Sequence, residues 1–117
     1  MDASLKIDQQ VSDCIKQCIV DILKPKIIMI FGSYATDSAT VDSDIDIMAV
    51  VDDEQSSDRV ATVKARIAIR KALQAIDKDM AFDLVLSKQS VFSKAKLIKG
   101  TIQYAANQQG VAIYGRH

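Results

Sequence analysis

Ile7, Val11, Ile15, Ile19 and Ile22 recur at helical spacing, with Cys14, Cys18 and Leu23 widening the stripe. This predicts an amphipathic helix within residues 1–24, ending before Pro25. Ile27, Ile28, Met29, Ile30 and Phe31 form a short unbroken apolar run between Lys-Pro-Lys and Gly-Ser, the pattern of a strand buried on both faces. Residues 33–43 are polar, with room for a turn of helix near Tyr34 and Ala35. Ile45, Ile47, Ala49 and Val51 then alternate with Asp44, Asp46, Met48 and Val50 and predict a second strand, and residues 52–57 read as a loop. Asp58 is an N-cap candidate for a long helix. Val60, Val63, Ile67, Leu73 and Ile76 are expected on its inner side and Arg59, Lys64, Arg66, Arg70 and Lys71 on its outer side. A third strand over 81–86 leads to Ser87, a second N-cap candidate. Residues 89–108 read as helical with a break near Gly100, and 111–114 as a last short strand.

Helices alternating with strands imply one layered α/β domain spanning residues 1–117, with helices packed on a small mixed sheet. A chain of 117 residues, 49% hydrophobic and 26% charged with one Pro, has room for one core and needs no disulfide or metal to fold. Its longest aliphatic and aromatic run falls far short of the ~20 residues of a membrane helix. The opening Met-Asp-Ala-Ser-Leu-Lys-Ile-Asp lacks the basic-then-apolar order of a secretory signal, so a cytoplasmic protein is expected.

Lysine plus arginine balances aspartate plus glutamate at 15 each, so no basic excess points to nucleic acid or to a membrane. The balance hides a segregation. Residues 27–58 hold eight acids and no base, whereas 59–117 hold eleven bases and three acids. Two mutually attracting surfaces would account for this, and so would a site that handles divalent cations together with phosphates.

The candidate chemistry lies in one constellation. Gly32 and Ser33 follow the first strand where a helical turn begins. Unpaired N–H groups at such a turn attract anions, glycine lets a phosphate approach the backbone, and the serine hydroxyl adds a donor. After ten intervening residues come Asp44-Ile45-Asp46, whose carboxylates on an alternating strand share one face, about 7 Å apart at their bases. That spacing lets both reach one or two hard cations. Asp83 adds a third carboxylate in an otherwise apolar strand, where desolvation would be costly without a cation or donors.

Gly32-Ser33, the ten-residue interval, Asp44-Ile45-Asp46 and the later Asp83 resemble the signature of nucleotidyltransferases of the DNA polymerase beta superfamily. More narrowly, the chain resembles the minimal nucleotidyltransferases, often the antitoxin partners of HEPN toxins. The resemblance covers residues 27–115, including the closing Gly110-Val111-Ala112-Ile113-Tyr114. It implies a nucleotidyltransferase fold of the polymerase beta type and a two-metal reaction, in which Asp44 and Asp46 hold two Mg²⁺ ions with ATP. Gly32 and Ser33 would cradle the outer phosphates, and Asp83 would complete one metal site and assist the attacking hydroxyl. The implied reaction moves AMP from ATP to a hydroxyl acceptor, a tyrosine of a partner HEPN toxin, and the implied role is that of an antitoxin. One departure stands out: Thr36 and Asp37 occupy positions where many members have a basic residue and glycine.

Two other readings fit the same residues: a stand-alone transferase for a small acceptor of the antibiotic type, and a module that neutralises a partner by contact alone. A chain this short leaves little to build an acceptor pocket, which favours a second polypeptide as acceptor. A homo-oligomer stays open. Cys14 and Cys18, one helical turn apart, read as reduced core thiols, because no further Cys exists and the lone His117 is the last residue of the sequence. The same count argues against Ser-His-Asp or Cys-His catalysis. The cations at 59–71 read as a solvated helix face, with a partner or RNA contact as the alternative.

Overall fold

The computed structural model describes residues 8–35, 43–55 and 58–115. In chain order they form α1 (Gln9–Leu23), β1 (Ile27–Phe31), a single 3₁₀ turn (Gly32–Tyr34), β2 (Ile45–Val51), α2 (Arg59–Ile76), β3 (Phe82–Lys88), α3 (Gln89–Ala95), α4 (Ile102–Gln109) and β4 (Val111–Tyr114). The strands make one mixed sheet in the order β3-β2-β1-β4. β1 pairs antiparallel with β2 and with β4, whereas β2 pairs parallel with β3, and α2 forms the crossover that a parallel pair requires.

Alternation along the strands divides the core between the two faces of this sheet. Ile28 and Ile30 of β1, Ile45, Ile47, Ala49 and Val51 of β2, and Leu84 of β3 pack on one face with Val11, Ile15, Ile19 and Leu23 of α1 and Ala65, Ile69 and Leu73 of α2. On the other, Ile27, Met29, Phe31, Met48 and Val50 are sealed by Phe92 of α3 and Ala106 of α4. Both central strands therefore have to be apolar, and β1 is buried at all five positions as its unbroken run predicts.

Helix ends follow local chemistry with one exception. Asp8 accepts from the Gln10 N–H at 2.7 Å, Asp58 from Ala61 at 3.0 Å and Thr101 from Tyr104 at 3.0 Å. At α3 the expected cap, Ser87, instead ends up buried within β3, where its hydroxyl donates to the Lys88 carbonyl. The cap comes from 37 residues away: Asp53 accepts from the Ser90 N–H at 3.1 Å. Hydrogen bonds from Ser90, aided by Lys88, hold the Asp53 carboxyl below its ordinary range.

The inner face of α2 also differs from expectation. Of the stripe predicted to face the core only Leu73 is buried, and its companions there are Ala65 and Ile69. Val60, Val63 and Ile67 are 65%, 52% and 47% exposed, and Ile76 is exposed as well. The helix carries two apolar arcs, and α1 together with the sheet selects the one with small Ala65 at the close approach.

Cys14 and Cys18 are free and half-buried, with Cys18 packed against the core. Burial, then Cys14 and Asp21, push the Cys18 thiol above its ordinary value. Among the described residues no helix is long and apolar enough to cross a membrane.

Candidate active site

The strand register assembles the site. Phe31, the last residue of β1, pairs with Asp46, and Asp46 pairs on its other side with Asp83. By alternation Asp46 and Asp83 project to the same face as Met48 and Val50, at the end of the sheet away from the first turn of α3. Asp46 is half-buried and Asp83 exposed. Burial raises the Asp46 carboxyl above its ordinary value, and the charges of Asp83 and then Asp44 raise it further. The three carboxylates of the sequence motif thus share one electrostatic neighbourhood.

Gly32 closes over this group. Its φ of +74° lies in the left-handed region that side chains rarely adopt, and a Cβ there would overlap the Asp46 carboxylate. Ala35 donates its N–H to the Gly32 carbonyl at 3.0 Å, tightening the turn. Glycine is therefore required twice, for the backbone angle and for the approach to Asp46. Ser33 lies half-buried in the same turn.

Asp44 stands just before β2 and is exposed, so the strand alternation invoked for the Asp44–Asp46 pair begins only at Ile45. The Ile45 N–H bonds the Ala81 carbonyl at 3.0 Å, and the Tyr34 hydroxyl donates to the Ser43 carbonyl at 3.4 Å, which ties the turn after β1 to the entry of β2. Asp44 there lines a cleft of about 630 Å³ with Tyr34, Ser43, Asp77, Asp79 and Met80. Asp77 and Asp79, at the end of α2, escape the sequence reading, and their one visible signal is the Asp-Lys-Asp run beyond the helical stripe. Thr36 and Asp37 lie outside the described residues.

One expectation needs correction. An apolar strand would desolvate Asp83 and make it need a cation, but β3 is an edge strand and the side chain reaches water. Its significance comes from its register with Asp46, which is a matter of charge proximity. Among the described residues no three His, Cys, Asp or Glu side chains already stand close enough to clamp a metal ion. The donor chemistry nonetheless suits a hard divalent cation: only oxygens are offered, and mutual repulsion, already visible at Asp46, would be relieved by one.

Known proteins share this sequence family and this fold. The family model of polymerase beta nucleotidyltransferases matches residues 13–117. No curated protein matches the chain by sequence. Among solved structures, a crystal structure of a toxin-antitoxin with AMP-PNP superposes with a TM-score of 0.61 at 24% identity, over 91% of this chain and 74% of that one. A mutant of the toxin-antitoxin MntA-HpeT does so with a TM-score of 0.59 at 22% identity, over the same shares of both chains. With the family model covering nearly the whole chain and Asp46 facing Asp83 beneath Gly32, the protein belongs to the polymerase beta nucleotidyltransferase family.

Proposed function

We propose that this nucleotidyltransferase acts as an antitoxin, transferring AMP from ATP to a hydroxyl, a tyrosine, of a partner HEPN toxin with Mg²⁺. The observation that carries the reading is the pairing of Asp46 with Asp83 beneath Gly32, with Asp44 adding its charge. Similarity to toxin-antitoxin structures, one holding AMP-PNP, supports the partner class and the nucleotide. Asp44, Asp46 and Asp83 would hold two Mg²⁺ ions, which neutralise phosphate charge during nucleotidyl transfer.

The chain's own contribution is positional. The turn over Gly32–Tyr34 would bring the Gly32 backbone and the Ser33 hydroxyl to the outer phosphates. Asp83, exposed at the sheet edge, would accept the proton of an incoming hydroxyl. The cleft of about 630 Å³ beside Asp44 is where the acceptor side chain of a second polypeptide would enter.

The test incubates purified protein with Mg²⁺, ATP labelled at the α-phosphate and a lysate of its host, beside an Asp44→Asn, Asp46→Asn variant. Label on a discrete protein band, lost in the variant, is expected, and peptide mapping should find it on a tyrosine. Carboxylate-dependent label confined to small molecules would replace the protein acceptor with a small one. Absence of any labelled product would leave neutralisation by contact alone.

A further inference from the structure

The outer side of α2 has a composition that the transfer reaction does not use. At about 100° per residue, Val60, Val63 and Ile67 fall within an arc of roughly 60° on the helix. Arg59, Arg66 and Arg70 border this arc on one side and Lys64 and Lys71 on the other. The three aliphatic residues are about half exposed or more. Among the described residues no carboxylate pairs with Arg59, Lys64, Arg70 or Lys71, while Arg66 donates to the Leu84 carbonyl of β3 at 3.0 Å. That bond holds α2 beside the edge strand. Arg59, Thr62, Val63, Arg66 and Leu86 line a groove of about 400 Å³ between helix and strand. A smaller one of about 140 Å³, which includes Arg70, Gln74 and Phe82, lies further along.

Chemistry selects the occupant. A nucleic-acid backbone would satisfy the cations but leave Val60, Val63 and Ile67 against phosphate and water. A second copy on a two-fold axis would oppose this cation-bordered stripe to itself. A protein surface whose own apolar stripe is bordered by carboxylates satisfies both components, and the arc from Val60 to Ile67, about two turns long, has the dimensions of helix-on-helix contact. We propose that the outer face of α2, with the groove along β3, is a docking surface for an acidic amphipathic helix of a partner protein.

This face lies across the sheet from Asp46 and Asp83, since α2 packs on the side of Ile45 and Ile47. A partner held there leaves the carboxylates open, so docking and transfer are separable.

The test uses the full chain and fluorescein-labelled synthetic helical peptides with leucines at i, i+3 and i+7 flanked by Glu or, as control, by Lys. Uridine homopolymer RNA and sedimentation of the chain alone complete the set. Anisotropy should show the Glu peptide binding at least about tenfold more tightly than the Lys peptide and weakening with salt. Val63→Glu with Ile67→Glu should reduce that affinity by about tenfold or more while Mg²⁺-dependent ATP binding stays unchanged. Both positions are exposed, but should that variant fold poorly by circular dichroism, Lys64→Glu with Lys71→Glu provides the same test through charge alone. Equal binding of both peptides, or binding that neither variant weakens, overturns the proposal. So does RNA binding that depends on these residues in place of the peptide, or a dimer that the Val63 and Ile67 variant dissociates. Loss of transfer in the Asp44→Asn, Asp46→Asn variant would leave the result untouched, so this proposal and the transfer reading fail separately.

Discussion

The two faces of the sheet are built from the same strands and do opposite things. The face under α1 and α2 is a continuous aliphatic layer with Ile28, Ile30 and Ile47 fully buried. The face under α3 and α4 is closed only where Phe92 and Ala106 reach Met29, Met48 and Val50. Beyond them Asp46 remains half-buried and Asp83 exposed. A two-residue period lets one strand, β2, place Ile45 and Ile47 in the deepest core and Asp46 in the site between them. On the proposed function, stability and chemistry fall on opposite sides of one backbone, and substitutions should separate them.

The largest expected effect is on the open face. Asp46→Asn should lower magnesium-dependent nucleotidyl transfer by about a thousandfold, read as label incorporated from ATP, with the fold intact by circular dichroism. On the closed face, Ile47→Ala should cost about 3 kcal/mol of stability in denaturant titration, because neither α1 nor α2 can collapse onto the cavity independently. Gly32→Ala lies between the two, since it strains a positive φ and displaces Asp46. A loss of about 2 kcal/mol together with weakened ATP binding is expected, and a stable variant that binds ATP normally would remove Gly32 from the site.

A subtler effect sharpens the contrast through pH. The folded state raises the Asp46 carboxyl, so folding favours its protonated form and the charged form opposes folding at neutral pH. In EDTA, Asp46→Asn should therefore have a higher Tm than the wild type at pH 7. That advantage should shrink as pH falls through the folded value and disappear below the ordinary carboxylate range of about 4. Mg²⁺ should raise the Tm of the wild type and not of the variant. The smallest effect is expected at Asp53→Ala, which removes the long-range cap of α3 and should lower Tm slightly at neutral pH without touching ATP binding.

Much of this contrast is legible in the sequence because it rests on local rules. The unbroken run of β1, the alternation in β2 and the Asp58 cap each report their environment through neighbours a few residues away. The motif spacing from Gly32 to Asp83 points to the family that the matched model shows. What escapes reading depends on contacts between distant segments. Val60, Val63 and Ile67 are as apolar as Ile69 and Leu73, and only packing against α1 decides which arc turns inward. Ser87 has the chemistry of a cap, but pairing with Val50 extends β3 past it and leaves the role to Asp53. A mixed sheet is expected from the sequence, but the strand order β3-β2-β1-β4 depends on β4 joining β1 across most of the chain.

The Arg66–Leu84 hydrogen bond has a further consequence for solubility. β3 and β4 are the outer strands of the sheet, and a bare outer strand invites a stranger's backbone to add itself, the first step toward fibrils. β4 offers only four residues and pairs irregularly with β1. β3 is longer, but a guanidinium occupies one of the carbonyls that an added strand would need, and Asp83 and Lys88 bring charge to its ends. The sheet is in this way kept from growing by a side chain borrowed from the neighbouring helix.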